Sequence, residues 1–229
     1  MAQNTGNAKN ILVGASPLFL SNIDITTAGY VENAEPGAVG DYAFESGVSY
    51  TSTLNDIDQV AGEFGYRNVG YTNNGLQVTY NPSYGSVTVD QLLDTAKLFK
   101  ESMEVMIATE MAEGTLENVL TVFGQRSNTL TSAGTGATAT DKLGLAGGAL
   151  GEAPTERQLI AVGQAPTSEA TATERVYYAR RVLSVQQSQF SLARNAASTF
   201  PVTFRLLPSG NSANAGQEYG FIVDRVLTV

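Results

Sequence analysis

Alternation with a period of two constrains this chain more than any other feature. Leu76, Val78 and Tyr80 alternate with Gln77, Thr79 and Asn81, and Val48, Tyr50, Ser52 and Leu54 alternate with Ser49, Thr51 and Thr53. Successive side chains of a strand point to opposite faces, so such runs describe half-buried strands and not helices. Met103, Val105 and Ile107 repeat the pattern. So do Val202, Phe204 and Leu206 with Thr203 and Arg205. Further strands are expected over 175–183 and 219–224, and a short one over 189–193. The set Asn81-Pro82-Ser83-Tyr84-Gly85 between Tyr80 and Val87 carries turn chemistry and predicts a hairpin. Asn73-Asn74-Gly75 predicts a second tight turn, because Asn and Gly tolerate positive φ.

One segment has a different period. Leu116, Val119, Leu120 and Phe123 fall at i, i+3, i+4 and i+7, which places them on one helical face. Thr115 suits the N-cap, Glu117 the first turn and Gly124 the position just past the end. The segment 90–100 is compatible with either a helical turn or a loop. Long loops are expected over 28–45, which is acidic and Gly-rich, and over 127–154, which is mostly Ser, Thr, Ala and Gly. Short strands separated by turns argue for an antiparallel β-sandwich or split barrel flanked by one α-helix, in a single domain spanning 1–229.

Composition narrows the chemistry. The 229 residues include no Cys and no His, which removes disulfides, thiolate or imidazole zinc sites and every mechanism centred on those side chains. No apolar run reaches the roughly 18 residues of a membrane span, and the first residues lack a secretory pattern, so a chain used without secretion or membrane insertion is expected. Lys97 and Lys100 lie near Ser102 without a Ser-x-x-Lys order, and surface lysines explain them better. Gly144-Leu145-Ala146-Gly147-Gly148 lacks the Gly-Lys-Ser/Thr of a phosphate loop. Asp56, Asp58 and Glu63 lack the spacing of a calcium loop. No catalytic, cofactor or metal site is expected, and the chain reads as a protein other than an enzyme.

Charge is distributed unevenly. The formal net charge is −9, with 15 acids against 4 bases in residues 1–125 and 7 against 9 in the remainder. Between Lys9 and Arg67 stand eight acids and no base. A nucleic-acid grip needs the opposite sign. An acidic solvated surface explains this, and so does a subunit with unlike ends suited to head-to-tail contact.

The order of segments resembles the bacteriophage tail tube (major tail) proteins. The resemblance lies in Tyr71 to Tyr80 with Val87 to Gln91, then Met103 to Glu110 with Thr115 to Leu120, then Val176 to Arg181, Phe200 to Pro208 and Tyr219 to Asp224. It implies six copies closing into a ring whose inner strands form a continuous barrel. Stacked rings would make the hollow virion tube that conducts DNA during ejection. It also implies assembly in the host cytoplasm beside a tape-measure and a tail-terminator protein. Under that reading Ser49, Thr51, Thr53, Gln77, Thr79 and Asn81 are candidates for the channel wall. Glu32, Glu35, Asp41, Glu45, Asp56 and Asp58 are candidates for assembly loops. A wet wall that repels phosphate would let DNA slide. The alternative is a carbohydrate- or receptor-binding β-sandwich of a surface structure, with a groove drawn from Tyr30, Tyr42, Tyr66, Tyr71, Tyr80 and Tyr84.

Overall fold

Six consecutive residues of the strand Arg157–Gln164 are buried, so both faces of this strand are covered and its sequence shows no alternation. The computed structural model describes residues 16–21, 24, 66–92, 94–135, 138–166, 173–192, 194 and 197–226. In chain order these hold β1 (Leu18–Ser21), β2 (Tyr66–Asn68), β3 (Thr72–Thr88), β4 (Thr95–Met111), α1 (Leu116–Val122), β5 (Leu130–Ala133), β6 (Thr140–Leu143), β7 (Arg157–Gln164), β8 (Thr173–Ser184), β9 (Phe200–Leu206) and β10 (Gly220–Val226). The fold is mainly β, with antiparallel, sandwich-like sheets and, among the described residues, one α-helix, as the alternation indicates.

The main sheet runs β2-β1-β7-β8-β9-β4-β3, and β10 also pairs with β8. Val182 on β8 lies opposite both Arg157 and Leu206, while Ala179 lies opposite both Leu159 and Gly220. One edge of β8 therefore carries β7, and the other carries β9 and then β10 in succession. Phe200, Val202, Phe204 and Leu206 are buried at every second position of β9, as expected from their spacing. They join Leu18, Leu20, Ile107, Met111, Leu159, Val182 and Val122 of α1 in one core.

Several local expectations are corrected. Asn81 to Gly85 is not a turn but the middle of β3, and the chain reverses at 89–94. Pro82 is tolerated because β3 is an edge strand, where a missing donor breaks no ladder. Gly85 is overlaid by the side chains of Phe99 and Glu101 from β4. Asn74 (φ 61°) and Gly75 (φ 67°) do adopt positive φ, but within a bulge between Asn73 and Gln77 rather than a hairpin turn. The segment 90–100 turns at 90–92 and is strand from Thr95. The loop expected over 127–154 contains the β5–β6 hairpin. Its glycine-rich part is held by the Gln125 amide, whose Oε1 accepts from Ala146 N (3.1 Å) and whose Nε2 donates to Ala146 O (3.3 Å). No strand forms over 189–192, where Phe190 turns inward against Phe200 with ring centroids 4.7 Å apart.

The helix has the expected ends: Thr115 accepts from Asn118 N, and Gly124 has φ 62°. Its buried face is shifted from the apolar stripe. Asn118, Leu120, Thr121 and Val122 are buried, while Phe123 is 39% exposed against Phe190. Arg67 explains the shift. Its guanidinium donates to Asn118 Oδ1 (2.6 Å), Glu117 O (2.9 Å) and Thr121 Oγ1 (2.8 Å), so the covered face is partly polar and hydrogen-bonded.

Candidate assembly surface

Among the described residues β4 lies against β9 only from Met106 to Met111, and beyond that its partner is β3 alone. From Val105 to Thr95, at about 3.3 Å per residue, this two-stranded arm extends roughly 35 Å. Its root is tied down. Thr109 Oγ1 donates to Gly75 O (2.9 Å), Asn73 Nδ2 to Glu110 Oε2 (3.2 Å), and Tyr71 N to Glu113 Oε1 (2.9 Å). The arm itself is exposed on both faces.

Register assigns the faces, because residues opposite each other share one. Val78 is opposite Ile107, Tyr80 opposite Val105, Pro82 opposite Met103 and Tyr84 opposite Lys100. Ile107 belongs to the core, so this apolar face is the core face prolonged into solvent. Val78 is 49% exposed, Tyr80 57% and Leu98 65%. The expected burial of Val78 and Tyr80 is therefore corrected: Tyr80 lies past the end of β9, and Val78, level with Phe204, stands on the outermost strand. On the other face Gln77 is opposite Ala108, Thr79 opposite Met106, Asn81 opposite Glu104 and Ser83 opposite Ser102.

A bulge at Glu101 alters the pattern farther out. The register steps from Ser83 opposite Ser102 to Tyr84 opposite Lys100, so Lys100 emerges on the tyrosine face. Its Nζ lies 5.5 Å from the Tyr80 ring centroid and donates to Tyr80 Oη (3.2 Å) and Met103 Sδ (3.0 Å). Lys100 and Ser102 thus lie on opposite faces. The lysines near Ser102 are surface groups of the arm.

Three of the six wall candidates, Gln77, Thr79 and Asn81, share the polar face of β3 and are exposed, the first two at the root of the arm and Asn81 on the arm itself. Ser49, Thr51 and Thr53 lie outside the described residues, as do Glu32, Glu35, Asp41, Glu45, Asp56 and Asp58, and the loop 28–45 with them. Among the tyrosines proposed for a groove, Tyr66 is buried and donates to Gln158 Oε1. Tyr71, Tyr80 and Tyr84 are exposed, and Tyr30 and Tyr42 are outside the described residues.

The charged groups elsewhere are structural. Arg157, beside β1, donates to Ser21 O and Ser127 Oγ (both 3.0 Å), and Asp24 accepts from Ser127 N (2.7 Å). Burial lowers the Arg157 pKa, and the Asp24 charge works against that shift. Arg181 grips the buried Glu156 with two bonds (2.6 and 2.9 Å) and Pro208 O with a third (2.9 Å). On the surface, Arg175 forks onto Asp224 across β8 and β10 (2.5 and 2.7 Å). That bond holds the Asp224 carboxyl below its usual range and raises Arg175. None of these was singled out from sequence. An isolated Arg or Asp carries no spacing signal, and its partners stand many residues away.

No helix among the described residues is long and apolar enough to cross a membrane. Neither a protein-family model nor a curated protein sequence matches the chain.

Proposed function

We propose that this chain is a structural subunit of a bacteriophage tail tube, six copies closing into a ring and rings stacking into a hollow tube that conducts DNA. The single observation that carries this reading is the arm formed by β3 and β4. A two-stranded hairpin is marginal in water, and one with Val78, Tyr80, Tyr84 and Leu98 exposed needs a partner to cover it. Its two faces differ as a shared barrel wall requires. The apolar face continues the core, and the opposite face, with Gln77, Thr79, Asn81, Ser83 and Ser102 and with Glu104 paired to Arg205 (3.6 Å), suits water before it turns to Val87, Lys97 and Phe99 farther out. Closing a sheet between subunits also removes the free edges that otherwise promote aggregation. The resemblance of segment order to tail tube proteins supplies the particular assembly, the virion location and the tape-measure and terminator partners. No catalytic role is part of the proposal.

Electron microscopy of the concentrated, purified protein tests it. Rings or hollow tubes are the expected result, and dispersed monomers at every concentration would refute it. The channel assignment has its own test in assembled particles carrying Thr79→Lys. DNA release should slow and recover at high salt, because each ring repeats the added phosphate contact. Unchanged release would remove Thr79 from the wall.

A further inference from the structure

The main sheet forks where β9 ends. Past Leu206, β4 and β3 run on as the arm, while β10 takes the place of β9 against β8, and no ladder joins β4 to β10. Strand directions follow from the pairings. β10 runs parallel to β9 because both are antiparallel to β8, and β4 is antiparallel to β9, so the two prongs present edges of opposite direction.

Hydrogen-bond parity shows which amides of the two edges point outward, and neither edge is paired there among the described residues. Arg180 N donates to Tyr219 O (3.2 Å), so Phe221 and Val223 bond β8 while Ile222 and Asp224 turn their N–H and C=O outward. Val185 N donates to Thr203 O (3.1 Å), so Phe204 bonds Ile107 on β4. The same side of β4 then presents Val105 and Met103, which meet no strand among the described residues. Beside the open edge of β10, Ile222 is 62% exposed and Val223 39%. The outer edge of β3 is a poorer donor, because Pro82 interrupts it.

We infer that the free edge of β10 receives the β4 edge of the arm of a second copy, antiparallel, so that one sheet crosses the subunit boundary. This docking presupposes the self-assembling subunit proposed above and names the surface it uses. Three features commit the site to a copy of this chain. Donor and acceptor edges are both present in it, in the direction they need. Both carry exposed apolar side chains, Ile222 on β10 and Leu98 on β4. The apolar face of the arm also adds area: roughly 35 Å by 10 Å, it presents about 350 Å² beside the paired edges, while the polar face stays wet. Donor and acceptor are different surfaces, so the contact is heterologous and propagates until a ring closes.

The chain has no cysteine, so introduced thiols report cleanly. Protein carrying Ser102→Cys and Ile222→Cys is treated with a short bis-maleimide at assembly concentration and resolved under denaturing conditions, beside sedimentation of the same sample. A ladder from dimer to hexamer is expected. A link formed only within one chain, or oligomers in sedimentation without a ladder, would overturn the docking and leave the tube reading standing. Absence of both oligomers and links would overturn the tube reading together with the docking. In addition, Ile222→Pro removes an outward N–H without touching the β8 ladder. It should weaken association about tenfold, the worth of roughly one hydrogen bond, with an unchanged thermal melt. Undiminished association of that folded variant would also overturn the docking.

Discussion

Two regions of this molecule treat their polar and apolar groups in opposite ways. Around β1, β7 and α1, chemistry that ought to be costly is satisfied within the chain: the buried Arg157 by Ser21, Ser127 and the Asp24 charge, and the half-buried Arg67 by three acceptors of α1. In the arm, chemistry that ought to be buried lies in water: Val78, Tyr80, Tyr84 and Leu98. The first region closes upon itself. The second has the pattern of a core face with nothing among the described residues laid upon it. A chain built this way folds at one end and associates at the other, so stability and assembly should respond to different substitutions.

The largest expected effect on folding belongs to the closed region. Asp24→Ala leaves the Arg157 charge buried without its counter-charge, and should cost about 3–5 kcal/mol in denaturant melts. Leu120→Ala, at a buried position of α1, should cost about 2–4 kcal/mol, and a change of a few tenths would mean that the helix does not pack on the sheet. Phe123→Ala should cost roughly 1 kcal/mol, less than its place in the helical stripe suggests, because only part of the ring is covered. Tyr80→Ser with Tyr84→Ser should move the melt by no more than about 0.5 kcal/mol and yet prevent assembly, as read by sedimentation. A large loss of stability there would erase the contrast between the regions. The smallest effect belongs to Asp224→Asn, about 0.5 kcal/mol or less for so exposed a pair. The bond from Arg175 holds the Asp224 pKa below its usual value. Its contribution is therefore present at neutral pH and disappears as the pH falls below the carboxylate range.

How much of this was legible in the sequence depended on where each residue's partners lie. β9 and α1 announced themselves because one face of each meets the core, and burial writes its period into the residues. β7 left no period because both its faces are covered, and the three residues of β2 are too few to show one. The reversal at 89–94 was misplaced to 81–85 because Pro82 and Gly85 signal a turn wherever they stand. Here an edge position accommodates the first, and the overlying Phe99 and Glu101 accommodate the second. The polar face of the arm was visible as Gln77, Thr79 and Asn81. Its apolar face was visible too, but alternation shows only that a face is to be covered. Among the described residues that cover ends where β9 stops.

Amide hydrogen exchange of the arm, compared between dilute monomer and assembled protein, tests that division most directly. The account predicts that the outward amides of Met103, Val105, Ile222 and Asp224 exchange rapidly in the monomer and become protected on assembly, while those of β7 are protected in both. Equal exchange of the four in the two states, in samples shown to contain rings or tubes, would contradict it.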